Sequence, residues 1–178
     1  MNKGPYIAFL FFSLLFLQVF ILNNILFLEH VNPYLYVAFV IFYPLKKERY
    51  LFLFLSFLLG LSIDFFTDSG GINAFSLLFI AYIRLFFVGL IFKKTEQDYL
   101  LFNLHLEPFG KVFNYVIILI VIHHFILFSL ANFSTQNFSG VLVNTLYSSI
   151  FTAVLFFLGT YIIRKKNKWS VALYFTFL

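Results

Sequence analysis

The chain has 178 residues, of which 62% are hydrophobic and only 11% are charged, and this composition excludes an ordinary soluble domain. No cysteine is present, so disulfide bonds and thiol chemistry are excluded as well. The formal net charge of +5 comes from basic residues at the ends of apolar runs, which favours membrane-topology signals over binding of nucleic acid.

The length allows about six membrane spans of roughly 20 residues with short connections, and it leaves no room for a separate soluble domain. We therefore predict an all-α fold, a polytopic membrane helical bundle that forms a single integral-membrane domain over residues 1–178. The predicted transmembrane helices are 6–28, 34–45, 50–66, 72–92, 112–131 and 141–163.

The first apolar run, 6–28, is longer than the core of a secretory signal peptide. It has no small-residue cleavage site at its end, so we interpret it as a retained helix. Gln18, Asn23 and Asn24 interrupt the run. Because unpaired amides are costly in lipid, we expect these three side chains to face other helices or the outer interface.

The second apolar run, 34–45, is short for a span. Pro33 and Pro44 stand at its borders, and proline removes a backbone donor and restricts the chain. The pattern predicts either a short, strongly packed helix or a partly re-entrant segment.

The third and fourth helices are joined where the chain brings acids, glycines and a cation close together. One stripe of small and acidic residues repeats every four positions on the third helix, whose other faces are Leu, Phe or Ile. We expect this stripe to face protein rather than lipid. Residues 69–71 are predicted to form the turn, and Asn73 to cap the returning helix. The stripe consists of Ser56, Gly60, Asp64 and Asp68.

The later connections are more polar. The connection 95–111 mixes acids with Leu and Phe, so we expect it to lie along the membrane surface. A polar loop, 134–137, separates the last two helices. The basic run 164–168 follows the sixth helix, and the apolar tail to Leu178 is predicted to rest in the interface.

The distribution of basic residues predicts the orientation. Six crossings place the amino terminus, the loop 46–49, the connection 93–111 and the carboxy-terminal tail on one side. These regions contain all twelve lysines and arginines except Arg84. By the positive-inside rule, we predict a multi-pass protein of the cell membrane with both termini in the cytoplasm.

Arg84 is predicted to lie inside the fourth helix, 12 residues or roughly 18 Å from its outer end. A guanidinium in hydrocarbon costs at least ~2.5 to 3.5 kcal/mol, so a partner or a water-filled pocket is expected. Four residues of other helices are predicted at similar depth, which indicates a polar layer. This layer is either a ligand or proton site, or a structural polar cluster. The four residues are Gln18, His123, His124 and Thr152.

The sequence gives little support for a metal site. His123 and His124 are separated by about 100° of helix rotation, so they do not point into one site. Asp64 and Asp68 have the i, i+4 spacing of a shared cation site, but no third ligand is identifiable. A hydrated helix end explains the pair better, and Asp64 is the better candidate for an interhelical hydrogen bond. We predict no metal and no cofactor.

The sixth helix carries a second stripe of small and polar residues. Such a stripe allows close helix approach, so we interpret it as an intramolecular packing surface or a surface for a partner helix. No nucleophile–base pair and no phosphate-binding glycine loop is present, so nothing predicts an enzyme. The stripe consists of Asn144, Ser148 and Thr152.

The order of these features resembles the bacterial rod-shape-determining membrane protein MreD family. Asn32-Pro33 opens the second apolar span, and the basic loop 46–49 follows it. Gly60-Leu-Ser-Ile-Asp64 precedes a glycine-rich turn and Ala81-Tyr82. The polar-interrupted fifth helix and the basic run 164–168 also fit, so the resemblance covers nearly the whole chain.

The resemblance implies a non-catalytic membrane scaffold of the cell-elongation (rod) complex, which helps to organise peptidoglycan synthesis and cell shape. It implies an MreC-like membrane-anchored partner, and beside it a RodA-type glycosyltransferase, its transpeptidase partner and actin-like MreB. It also implies a fold like that of the six-helix substrate-binding subunits of energy-coupling-factor transporters. The stripes on the third and sixth helices are then the candidate partner contacts.

An alternative function is a vitamin-binding subunit of an energy-coupling-factor type importer. In that case Arg84, Gln18 and the two histidines would line a polar pocket open to the outside. An alanine-rich helix surface for a transporter partner would also be expected. The chain has very few alanines and short outer loops, which favours the scaffold.

Overall fold

A computed structural model describes residues 4–24, 32–45, 49–99, 102–132 and 138–176. These ranges contain helices and connections but no strand. Residues 46–48 of the predicted basic loop and the whole predicted polar loop 134–137 lie outside the described residues, and beyond residue 162 only the backbone is described. The α-helices are α1 Gly4–Phe16, α2 Ala38–Phe42, α3 Tyr50–Thr67, α4 Ile72–Phe92, α5 Phe109–Ala131 and α6 Phe138–Thr176.

Five helical stretches of the described chain are long and apolar enough to cross a membrane. The first combines α1 with a π-helical turn, Leu17–Ile21, and a 3₁₀ turn, Leu22–Asn24. The outer surfaces of the five stretches carry large aromatic side chains such as Phe9 and Phe65, which are 74% and 83% exposed. Apolar surface of this extent suits lipid contact. The predicted all-helical, multi-pass membrane bundle is therefore confirmed. The five stretches are Gly4–Asn24, Tyr50–Thr67, Ile72–Phe92, Phe109–Ala131 and Phe138–Ile162.

The second predicted transmembrane helix, 34–45, is instead a short helical segment inside the bundle. It contains the 3₁₀ turn Leu35–Val37 and the five-residue α2. α2 ends at Phe42. Proline disfavours a helical backbone at the residue before it, and Tyr43, which precedes Pro44, is accordingly extended with ψ of 132°. We call residues 32–45 the inner segment.

Protein surrounds the middle of the inner segment. From Tyr36 to Ile41, every side chain is 3% exposed or less, and all of these residues belong to the hydrophobic core. Phe39 packs edge-on against Phe11 of α1, and Phe42 stacks on Phe156 of α6. The segment is therefore the centre around which the long helices pack.

The inner segment carries the chain from one end of the bundle to the other. Phe20 lies in the π-helical turn that follows α1, and Phe66 lies near the carboxyl end of α3. Their ring centroids are 6.5 Å apart, so α1 and α3 run parallel. We call the end where α3 ends and α4 begins the apical end, and the opposite end the basal end. The inner segment starts beside Gln18 and reaches Phe52 through Tyr43. In the described ranges, the inner segment and the five long helical stretches together give six passes between the two ends.

The hairpin of α3 and α4 is tightly packed. A Cβ atom at Gly60 would lie 2.5 Å from the Cα atom of Ala74, so only glycine allows this approach. The predicted turn is confirmed, with Gly70 and Gly71 at φ of 65° and 94°. The predicted stripe is wrong at Asp68, which does not lie on the helix. The helix ends at Thr67, and Asp68 adopts a left-handed backbone and is exposed.

The last helix is longer than predicted. The helical backbone of α6 continues to Thr176, past the predicted end at residue 163. No glycine or proline interrupts the sequence between these positions, so no strong helix breaker stops it. α5 begins at Phe109, directly after Pro108, three residues before the predicted start.

The connection between α4 and α5 packs against the basal end of the bundle. Tyr99 is buried, and Phe102 contacts Phe92 with 5.2 Å between ring centroids. A capping box joins Thr95 and Asp98, and the hydrogen bonds from Thr95, first from its backbone N–H, lower the pKa of the Asp98 carboxyl. Part of the connection is thus ordered by its own polar contacts.

Candidate functional site

The buried polar side chains of the long helices are arranged around the inner segment. A non-helical backbone at membrane depth is stable only where protein or water satisfies its N–H and C=O groups. Short helices leave most of these groups without intrahelical partners. Among the described residues, the side chains of Gln18, Thr152 and Arg84 hydrogen-bond to the backbone of the inner segment. His123 and Asn73 hydrogen-bond to the hydroxyl of its Tyr36.

Gln18 joins α1 to the start of the inner segment. Its Nε2 donates to the Pro33 carbonyl oxygen at 3.0 Å and to Asn23 Oδ1 at 2.8 Å. Its Oε1 accepts from the Leu35 N–H at 3.0 Å. Gln18 is fully buried and lies in the π-helical turn, a local widening of the helix that often marks a special site. The expectation that Gln18 faces protein is confirmed.

Thr152 and His124 form the polar group that binds the backbone N–H of Tyr34. The Tyr34 N–H donates to Thr152 Oγ1 at 3.0 Å, and Thr152 Oγ1 lies 3.1 Å from His124 Nε2. His124 Nδ1 lies 2.8 Å from the Ile120 carbonyl, which only accepts, so Nδ1 carries the proton. Nε2 then accepts from the threonine hydroxyl. Every polar hydrogen of this group has an acceptor.

His123 belongs to a separate chain of hydrogen bonds. Its Nε2 lies 3.0 Å from the Tyr36 hydroxyl, which is 2.7 Å from Asn73 Oδ1. The side-chain amide of Asn73 donates to Asp64 Oδ1 at 2.9 Å. This series of hydrogen bonds therefore links α5, the inner segment, α4 and α3. As predicted, the two histidines point to different partners, and His123 Nδ1 has no hydrogen-bond partner in the described part of the chain.

Asp64 caps α4 from the neighbouring helix. Its carboxylate accepts the backbone N–H groups of Asn73 and Ala74 at 2.9 and 2.8 Å, and also the Ser69 hydroxyl. The predicted interhelical hydrogen bond of Asp64 is confirmed. The predicted cap by Asn73 is wrong, because the N-cap position is Gly71 and Asn73 lies inside the first turn. Its side chain holds Asp64 instead.

Arg84 is buried at the basal end, away from the histidines. Its Nε donates to the Tyr115 hydroxyl at 3.2 Å, and its Nη2 donates to the carbonyl oxygens of Tyr43 at 2.5 Å and of Ile41 at 3.4 Å. The guanidinium carbon is 5.1 Å from the centre of the Phe52 ring. The predicted single polar layer is thus divided into separate groups that hold different points of the inner segment.

The two predicted stripes are packing surfaces inside the protein. Ser56 and Gly60 are buried, and the hydroxyl of Ser56 donates to the Phe52 carbonyl at 2.8 Å. Ser148 and Thr152 are fully buried, and Asn144 is half-buried. For the α6 stripe, the structure favours packing within the protein over a surface for a partner helix. The expectation that both stripes contact a partner is corrected for Ser56, Gly60, Ser148 and Thr152, because these residues are buried inside the chain's own bundle.

No group of three or more metal-ligand side chains exists among the residues whose positions are described. Asp64 already accepts four hydrogen bonds, and Asp68 is exposed at the end of α3. The i, i+4 pair therefore separates into a helix cap and a surface residue, because the helix ends between them.

Tyr36 and Tyr115 were not predicted as site residues, although their hydroxyls hydrogen-bond to His123 and Arg84. A signal was present, since a tyrosine hydroxyl inside an apolar run needs a partner when buried. Both side chains are 1% exposed or less.

Comparisons with models of protein families, with curated proteins and with solved structures found no match for this chain.

Proposed function

We propose that this protein is a non-catalytic scaffold of the cell-elongation complex, as the resemblance to the MreD family implies. In this proposal it lies in the cytoplasmic membrane with both termini in the cytoplasm, and it binds an MreC-like partner. A RodA-type glycosyltransferase, its transpeptidase and actin-like MreB complete the assembly. The motif order and the basic residues at one side of six passes support the proposal.

One observation favours the scaffold over a vitamin-binding subunit. The importer function needs Arg84, Gln18 and the histidines to line one pocket. These residues instead lie at separate points around the inner segment, where they bind its backbone or its tyrosine side chains and neighbouring helices. Their hydrogen bonds stabilise an internal element, which suits a protein whose function is to present a fixed outer surface.

The outer surface that remains for a partner helix is apolar. Because the small-residue stripes are buried, a single transmembrane helix would pack on lipid-facing side chains such as Phe54 and Phe57 of α3 or Leu146, Ile150 and Val154 of α6. Association of helices in lipid depends on close packing, so the fit of these side chains determines affinity.

Co-purification tests the proposal. The chain would be extracted in mild detergent from cells that also produce an MreC-like protein, and recovery of that protein in stoichiometric amount is expected. A photo-crosslinking residue at Ile150 or Phe54 should capture the partner, whereas the same residue at fully buried Leu119 should not. Recovery of a tightly bound vitamin without such a partner would contradict the scaffold and favour the importer subunit.

A further inference from the structure

Two arginines line one small cleft at the basal end of the bundle. Arg84 lies deep in the bundle and is 3% exposed, and Arg49 is half-buried at the start of α3. Arg49 is the N-cap residue of α3 and Arg84 belongs to α4, and the end of the inner segment lines the same cleft. The other residues that line the cleft are Tyr43, Pro44, Leu45, Phe52 and Leu85.

The positive charge of Arg84 meets only neutral groups in the described part of the chain. Its Nε and Nη2 donate to a tyrosine hydroxyl and to two carbonyl oxygens, whereas Nη1 makes no hydrogen bond to a described residue. The acids of known position are elsewhere. Asp64 and Asp68 lie at the apical end, Asp98 accepts hydrogen bonds from Thr95, and Glu107 pairs with Lys94 at 3.4 Å. A buried cation without a counter-charge favours an anion beside it.

The start of α3 adds to this positive potential. Arg49 occupies the N-cap position, and α3 has neither a side-chain cap nor an acid in its first turn. The first N–H groups of this 18-residue helix therefore keep their partial positive charge, which attracts anions. Phosphate oxygens match the planar donor arrangement of guanidinium groups particularly well.

We propose that this cleft binds a phosphate-bearing anion, with Arg49 at its rim and Arg84 at its floor. Tyr115 and the carbonyls of the inner segment hold the Arg84 guanidinium in place, so Nη1 is the nitrogen available to the ligand. The phosphate belongs either to the headgroup of an anionic lipid or to a free phosphate ion. The site is independent of the proposed scaffold function.

Thermal unfolding of the purified full-length chain in a neutral detergent tests the site. Dioleoyl phosphatidylglycerol, dioleoyl phosphatidylcholine and inorganic phosphate are added separately at constant ionic strength. We expect phosphatidylglycerol to raise the unfolding midpoint by about 3 °C or more. A rise with phosphatidylglycerol alone assigns the site to a lipid headgroup, and an equal rise with inorganic phosphate shows that the free ion suffices. No rise with either, or an equal rise with phosphatidylcholine, overturns the proposal.

Matched variants separate the cleft from general charge effects. Arg49→Gln should abolish most of the rise without lowering the midpoint in the absence of anion, because it removes a positive charge that lies beside Arg84 and the start of α3. Lys111→Gln removes an exposed basal charge outside the cleft and should keep the full rise. The proposal is overturned if both variants lose the rise in midpoint equally, or if both keep it.

Glu48, which lies outside the described residues, provides one more test. If Glu48→Gln creates an anion response that the unmodified chain lacks, the chain's own carboxylate fills the cleft and the proposal fails. If Glu48→Gln leaves the response of the unmodified chain unchanged, the added anion is the ligand.

Discussion

The carboxylate of Asp64 on α3 accepts a 2.8 Å hydrogen bond from the backbone N–H of Ala74 on α4. An acid of one helix thus caps the next one, in place of the side-chain cap that α4 lacks. The negative charge at the start of α4 also interacts favourably with the helix dipole. The hairpin is therefore held by electrostatics as well as by close packing.

Replacing Asp64 by asparagine should lower the free energy of unfolding by about 1–3 kcal/mol, because the amide loses the charge and one acceptor oxygen. Unfolding in mixed micelles measures this loss. Asp68→Asn is the matched control: Asp68 is exposed and left-handed, and asparagine tolerates that backbone well. Its effect should stay within about 0.5 kcal/mol. Equal losses in the two variants would contradict the capping role.

The close approach at Gly60 predicts a strong effect of a single methyl group. Gly60→Ala should destabilise the protein by about 1–3 kcal/mol or more, because the new Cβ would overlap backbone atoms of Asn73 and Ala74. Thermal unfolding midpoints report the change. Gly159→Ala, also in a helix, meets nothing within 4 Å and should be neutral or stabilise by up to about 1 kcal/mol. A neutral Gly60→Ala would show that the two helices are further apart.

Thr152 is predicted to act through its hydroxyl. Thr152→Val keeps the shape but leaves the Tyr34 N–H and His124 Nε2 without their partner, which should cost about 1–3 kcal/mol. Thr152→Ser keeps the hydroxyl and removes one methyl group, so about 0.8 kcal/mol is expected. Hydrogen exchange at the Tyr34 amide should increase only in the valine variant. Similar exchange in both variants would exclude this hydrogen bond.

The proposed orientation predicts opposite labelling at the two ends of the bundle. The absence of cysteine allows single-cysteine variants to be labelled without background. Thr67→Cys at the apical end should react with a membrane-impermeant maleimide in intact cells. Gln97→Cys at the basal end should react only after the membrane is broken, and both positions are exposed. The reverse pattern would invert the topology and remove the support from the positive-inside rule.

The capping box in the basal connection predicts a pH dependence. The pKa of Asp98 is below its usual 3.8, so this contact stabilises the connection above that pH and is lost as the pH falls through the lower value. Carbon NMR of the three aspartates, Asp64, Asp68 and Asp98, measures the titration. Thr95→Ala should raise the pKa of Asp98 toward 3.8. An unchanged pKa in this variant would show that the Thr95 hydroxyl contributes nothing.

The long helices could be predicted from the sequence, because runs of about 20 apolar residues have few alternatives to a membrane helix. The packing of the hairpin was also predictable in part: Gly60 and Asp64 lie one turn apart and face protein as expected, and the structure shows that this protein is α4. Asp68 was misplaced because the same periodicity continues in the sequence beyond the point where the backbone turns left-handed. Periodicity alone does not locate the end of a helix.

The polar site could not be assembled from the sequence. Depth estimates put Arg84 and the histidines in one layer, but which carbonyl or hydroxyl each would meet depends on the path of the inner segment. That path follows from Pro33, Pro44 and the packing of five helices together. The amides and hydroxyls were visible as costly groups; their partners are mostly backbone atoms, which carry no sequence signal.

The enclosure of the inner segment constrains how the protein is made. The Tyr34 N–H finds its acceptor on Thr152, which the ribosome adds more than a hundred residues later. Until α6 has packed against the inner segment, the Tyr34 N–H lacks this acceptor, and an unpaired N–H group is costly in lipid. The hydrogen bonds of the inner segment are therefore complete only after the last helix has been made and packed against it.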